Sequence, residues 1–277
     1  LLTFLIRFIL IYPEKIEKYI HGIDLIEIGY QYAISLGSHA PSLNLHVGFL
    51  TIVNFYFLLQ AIIKKETKRI ILDVVLFFLS FSFVLIINTR ITLLCVVFSI
   101  LIIIVKEFIK RYNFKKTLIS LLIGSIITTS LIGIYIKINP YMIEKYSSVT
   151  FANMDKVGKL DQIENPEVVA FNSLVTRISI WKASLEVAKE NLPFGTGADQ
   201  GKTTLFDYYK KTNQHFLAKY EFPVHNQFLD FTIKFGLVGF LVCFIYILFP
   251  FYKAKYLQDF QSLLICFGII FFISNLT

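Results

Sequence analysis

Long apolar runs separated by short polar breaks make up most of this chain. The runs fall at residues 43–63, 70–88, 90–105, 117–137, 227–251 and 260–277, and a shorter one covers Leu1 to Tyr12. About 20 apolar residues carry a helix across the hydrocarbon core, so the runs predict membrane spans. They are continuous, not alternating with period two, which argues against a transmembrane barrel. Residues 138–226 break the rhythm with one long polar stretch. The pattern therefore predicts an all-α fold: a polytopic transmembrane helix bundle with one large helical outer loop. Residues 1–137 supply spans, 138–226 the loop, and 227–277 further spans. The chain opens at Leu1 and closes at Thr277 inside apolar runs, and so reads as a portion of a longer protein.

Inside the loop, a helix is expected from about Asn172 to Asn191. Leu174, Ile178, Trp181, Leu185 and Ala188 recur at helical spacing and predict one apolar face. Asn191-Leu192-Pro193 ends that helix, and Phe194-Gly195-Thr196-Gly197 reads as a tight turn. Such an amphipathic helix is expected to lie on the membrane surface or on the span bundle.

Composition agrees with the pattern. The chain is 56% hydrophobic and only 17% charged, with mean hydropathy +0.66, which excludes an ordinary soluble domain. A net charge of +8 raises the question of nucleic acid, but the basic residues gather in short loops. Lys64, Lys65, Lys68 and Arg69 form one group; Lys106, Lys110, Arg111, Lys115 and Lys116 another; Lys253 and Lys255 a third. Alternating the spans puts all three loops on one side, the cytoplasmic one. The charge is thus a topology signal and implies no nucleic-acid partner. The turn at Asn88-Thr89-Arg90 and the long loop then face outward. Cys95, Cys243 and Cys266 all lie in predicted spans, where cysteine serves as a small packing residue.

Three places could carry chemistry. Arg90 stands at the outer border, between the helices of a tight hairpin. It either snorkels to headgroups or presents a guanidinium fork to an anionic headgroup such as phosphate. Arg177 sits one turn before Trp181 on the loop helix, and pairing with a nearby Glu is its simpler reading. His225 precedes a span whose Asn226, Asp230 and Lys234 recur every four residues, giving a polar face where the helix enters the membrane. Ionisable residues there are functional candidates; an Asp230–Lys234 pair that satisfies itself is the alternative reading. A histidine, with an ordinary pKa of about 6.5, can accept a proton at neutral pH; a lone one is more often a cap or surface residue. Gly201-Lys202-Thr203 mimics the end of a phosphate-binding loop but lacks its first glycine and its strand. His39 and His46 are not spaced as a metal pair, and the loop holds no Asp-x-Asp, so neither a metal nor another cofactor is expected.

In order and context these pieces resemble the O-antigen ligase and O-antigen polymerase family. The resemblance rests on Asn88-Thr89-Arg90 at a span boundary, then Arg177-Ile-Ser-Ile-Trp181 and Asn191-Leu-Pro-Phe-Gly195-Thr-Gly197 in the loop. His225-Asn226-Gln-Phe-Leu and Phe235-Gly236-Leu-Val-Gly239 follow, with Ser38-His39-Ala40-Pro41 as a degenerate earlier segment. It spans residues 38–250. The resemblance implies a multi-pass protein of the bacterial inner membrane with its large loop periplasmic. It implies a metal-independent transfer of glycan from a polyprenyl-diphosphate-linked donor to a glycan or lipid A core acceptor, with inversion at the anomeric carbon. By the same likeness Arg90 and Arg177 steady the leaving diphosphate and His225 serves as base. Trp181, Gly195, Gly197, Asn226, Asp230 and Lys234 shape and orient the substrates. Ligase and polymerase activities stay undivided at this level. A polysaccharide or lipid transporter, which should show paired broken helices, and a non-catalytic assembly component are the alternatives.

Overall fold

The computed structural model describes residues 2–14, 25–109, 119, 122, 126, 129–130, 133–134, 152–170 and 173–276. Most of the expected span at 117–137 lies outside the described residues, as do all of residues 110–116 and 138–151. Among the described residues there is helix and no strand. The helices are α1 (Leu2–Ile11), α2 (Leu25–Ser35), α3 (Ala40–Lys64), α4 (Thr67–Ile87), α5 (Arg90–Ile109), α6 (Leu174–Glu190), α7 (Gly201–Lys211), α8 (His215–Lys219), α9 (Gln227–Lys253) and α10 (Gln261–Ser274), besides single turns of helix. Of these, α3, α4, α5 and α9 are long and apolar enough to cross a membrane. This is the all-α membrane bundle that the apolar runs predict. Contacts divide the chain into two compact units, Leu1–Tyr141 with Pro250–Ser274, and Met142–Phe249 with Asn275–Thr277.

In the first unit α3 packs along α4 and also against α5 and α10. Val47, Ile52, Val84, Ile87, Val96 and Ile103 fill its interior, while Leu72, Val75, Phe78, Leu94 and Phe98 face outward. Apolar side chains on both sides are what a lipid-exposed bundle requires, since the bilayer solvates the outer ones. Association must then come from close packing and interhelical hydrogen bonds. Gly48 of α3 supplies the first: a Cβ there would lie 2.5 Å from the Thr92 methyl of α5. Asn54 supplies the second, donating to Ser80 Oγ of α4 at 3.1 Å. At the other end of α5, buried Glu107 accepts from Gln60 Nε2 at 3.0 Å and from Ser262 Oγ at 3.2 Å, joining α3, α5 and α10. A buried carboxylate without such donors would be costly.

The second unit has a core of its own. Ser173 caps α6 by accepting from the Thr176 amide. The face that α6 buries carries Val175, Thr176, Ser179, Ile180, Ala183, Ser184, Val187 and Ala188. Leu205, Phe206 and Tyr209 of α7, Phe216 and Leu217 of α8, and Ile233 belong to the same core. This corrects the expected apolar face: of Leu174, Ile178, Trp181, Leu185 and Ala188, Ala188 alone is buried. The physical reason is that hydroxyls can be hidden. Ser179 Oγ donates to the Val175 carbonyl at 2.7 Å and accepts from the Gly158 amide at 2.8 Å, so a position that looks polar packs inside. The helix therefore rests on its neighbours in the loop through a face largely opposite the predicted one.

The run predicted as one span at 227–251 is two helical pieces meeting at Gly236, whose φ of 60° and ψ of −143° interrupt α9. The bend is sharp: the rings of Phe228 and Phe240 lie 6.1 Å apart, whereas twelve residues of straight helix would separate them by about 18 Å. The Phe194–Gly197 turn fills the break. Thr196 and Gly197 amides donate to the Ile233 and Lys234 carbonyls at 2.8 and 2.9 Å, and the Leu237 amide donates to the Pro193 carbonyl at 3.0 Å. Only glycine fits at the junction: a Cβ on Gly236 would sit 1.9 Å from the Pro193 oxygen, and one on Gly195 2.5 Å from the Gly236 nitrogen. The piece after the break, 237–253, is about 25 Å long at 1.5 Å per residue.

Candidate functional site

Arg90 belongs to the first unit and is the first residue of α5. The hairpin expected around it is present. Asn88 ends α4 in the left-handed region (φ 56°, ψ 55°) and its amide donates to Val84 at 3.0 Å. Asn is among the few residues that tolerate that conformation. The turn is gripped from α3 by a residue that the reading of the sequence missed. Asn44, fully buried, donates to Thr89 Oγ1 at 2.7 Å and to the Val84 carbonyl at 3.3 Å. Thr89 Oγ1 in turn donates to Thr92 Oγ1 at 2.8 Å. A lone amide at the start of an apolar run was the available signal. Arg90 itself is half-buried. A cation at a helix N-terminus faces the positive end of the dipole, an arrangement that helix stability does not favour.

Arg177, Trp181 and His225 belong to the second unit. Arg177 and Trp181 lie one turn apart on α6, both half-buried. Trp181 Nε1 donates to the backbone carbonyl of His225 at 3.2 Å, spanning 44 positions of sequence. His225 is exposed and has a φ of 48°. A non-glycine residue in the left-handed region costs roughly 1–2 kcal/mol, and such strain gathers at functional sites. Two neighbours hold it in place: Trp181 from α6, and Asn226, whose Oδ1 accepts from the Leu229 amide at 3.2 Å and so caps α9.

Asp230 and Lys234 pair with each other at 2.7 Å on the short piece of α9 before the break. They share one face of that piece, as their spacing predicts, and Gly236 ends it two residues later. Gly195 and Gly197, expected to shape a substrate site, are seated in the helix break, where Gly195 meets the backbone of Lys234 and Gly236. A cleft of about 220 Å³ is lined by Gly158, Ser179, Lys182, Glu186, Tyr208 and Gln214, among others. Glu186 is nine residues from Arg177, half a turn around α6, so that cleft is on the opposite side from Arg177. There burial, with Glu186 and Glu190 adding to it, raises the Tyr208 phenol above its ordinary value. Among the described residues no three His, Cys, Asp or Glu side chains gather to hold a metal ion. Cys95, Cys243 and Cys266 are unpaired and buried.

Fold and residues together define a multi-span helical membrane protein with a compact polar insertion between spans. The family model of the O-antigen ligases matches residues 75–245, well over half of the chain, and the chain belongs to that family. Its activity is accordingly of the O-antigen ligase or polymerase type, glycosyltransferase-like, in surface polysaccharide biosynthesis. The matched region holds Arg90, Arg177, Trp181, His225 and both halves of the helix break, while Asn44 lies before it. No curated protein and no solved structure matches the chain.

Proposed function

We propose that the protein transfers glycan from a polyprenyl-diphosphate-linked donor to a hydroxyl of a glycan or lipid A core acceptor, without a metal, at the periplasmic face of a bacterial inner membrane. His225 removes the proton from the acceptor hydroxyl, the acceptor oxygen bonds to the anomeric carbon, and the bond from that carbon to the diphosphate oxygen breaks with inversion. Arg90 and Arg177 stabilise the charge that grows on the departing diphosphate, where preorganised cations act most strongly. Trp181 and Asn226 hold the base in position. Asp230 and Lys234, a neutralised pair, and the Gly195–Gly197 turn shape the surroundings.

The observation that carries this reading is the strained backbone of an exposed histidine, gripped through its carbonyl by Trp181 one turn from Arg177. Strain of this kind is retained where geometry is needed for function. The transporter reading expects broken helices in pairs around a central cavity. Among the described helices, α9 alone has a non-helical residue inside it, and the break is filled by backbone.

The test is complementation of a strain lacking its own version with the full-length protein, scored on surface glycan. His225→Ala should lower transfer by about 10²–10⁴-fold, the usual worth of a general base. Arg90→Lys keeps the charge but loses the fork, and should also impair transfer strongly. Wild-type levels with His225→Ala would end the base assignment, and wild-type levels with Arg90→Lys would return Arg90 to headgroup contact alone.

A further inference from the structure

The turn that fills the helix break displays apolar side chains to the outside. Phe194 is 86% exposed and Leu192 42%, and Leu185, two turns earlier on α6, is 44% exposed. Nothing about a solvated loop tip favours a bare phenylalanine there. Its position explains it. The carbonyl of Pro193 accepts from the amide of Leu237, the first residue of the 237–253 segment, and Gly195 abuts Gly236. The turn is thus hydrogen-bonded onto the start of the apolar 237–253 segment. Leu237, Val238, Leu241, Val242 and Ile245 on that segment are half or more exposed, as a lipid-facing surface is. Leu192 and Phe194 continue that surface at its end.

Backbone that is not helical survives at membrane depth only where its polar groups are satisfied by protein. Much of this turn meets the condition. The amides of Gly195, Thr196 and Gly197 all donate to carbonyls, those of Asn191, Ile233 and Lys234, and the Pro193 carbonyl accepts from Leu237. Asn191 Nδ2 is also occupied, donating to the Val187 carbonyl at 2.8 Å. Leu192 and Phe194 face outward and are apolar, while the amides of Gly195, Thr196 and Gly197 face inward and are paired.

We propose that Leu192 and Phe194 are seated among the lipid acyl chains at the membrane interface, beside Leu237 and Val238, and anchor the end of α6 to the bilayer. The occupant is lipid, because the patch continues a lipid-facing helix surface. This anchor does not depend on the transfer chemistry. It also gives the predicted membrane contact of α6 a different location, the turn at its end and not the length of the helix.

Trp181 is the single tryptophan of the chain, so an added one is read by difference. Full-length Phe194→Trp, reconstituted in phosphatidylcholine vesicles, should add a blue-shifted emission. Lipid brominated near the headgroup end of its acyl chains should cut that added emission roughly twofold or more, as expected for a ring several ångströms below the surface, and aqueous iodide should leave it unchanged. Leu192→Trp should behave alike, which covers a folding defect peculiar to one variant. Emission quenched by iodide and indifferent to bromolipid would overturn the proposal in favour of water. Emission indifferent to both would overturn it in favour of protein, a second copy included.

Discussion

Two corners of the molecule carry the candidate chemistry, and they are built differently. At the first, Asn88 takes the left-handed conformation and Arg90 follows as an ordinary first residue of a helix. At the second, His225 takes that conformation itself. The first corner is gripped by a buried side chain, Asn44, acting on a neighbouring threonine. The second is gripped at the backbone carbonyl of the histidine by Trp181. The contrast teaches where backbone strain falls. Arg90 follows a turn made by asparagine, whereas His225, the base we propose, is itself part of its turn.

The largest expected effect separates strain from chemistry at the second corner. His225→Gly removes the imidazole but suits the left-handed backbone. Transfer should fall by about 10²–10⁴-fold, while stability in thermal unfolding should stay within about 1 kcal/mol of wild type or rise. A large loss of stability would show that the ring is structural. Gly236→Ala should come next, with unfolding in detergent easier by about 3 kcal/mol or more, since a Cβ there meets the Pro193 oxygen and the backbone is left-handed. A neutral result would mean that the turn is not seated in the break.

Asn44→Ala tests the first corner. It removes the donor to Thr89 and Val84 and should cost about 1–2 kcal/mol, with transfer reduced if Arg90 depends on the turn; unaltered unfolding would remove Asn44 from that role. The smallest effect concerns an exposed pair in the second unit. A hydrogen bond from Lys219, seconded by Tyr220, holds the Glu167 carboxyl below its ordinary value, and the same partner raises Lys219. A depressed carboxyl contributes stability above its unfolded pKa and loses it as pH falls through the folded value. A raised lysine contributes below its unfolded pKa and loses that as pH rises through its folded value. Lys219→Ala should therefore slightly flatten the acid side of the stability profile and leave neutral stability almost unmoved, as exposed pairs do. A marked change at neutral pH would contradict this.

Much of the architecture is readable from the residues. The spans at 43–63, 70–88 and 90–105 appear as α3, α4 and α5, and the loop helix as α6, each within a few residues. The hairpin at Arg90, the turn at Gly195–Gly197 and the Asp230–Lys234 pair are where local signals put them. The helices α7 and α8, by contrast, lie in a lysine-rich stretch with no clear apolar period, and they form because Leu205, Tyr209, Phe216 and Leu217 find a core to share. The face of α6 was misread because Ser179 and Ser184 count as polar in a pattern yet are buried in the fold. Asn44 and the Trp181–His225 bond join positions 45 and 44 residues apart, and no local spacing announces such partners.

By itself the sequence determined the class of structure, because a bilayer demands apolar helices of a set length whose backbone bonds are all local. That demand is written in consecutive residues. The tertiary structure decided which face of α6 is inside, where α9 breaks and what fills the gap. Those outcomes depend on hydrogen bonds between residues such as Gly197 and Lys234, far apart in the chain, and a backbone group freed at Gly236 is stable only once its distant partner has arrived.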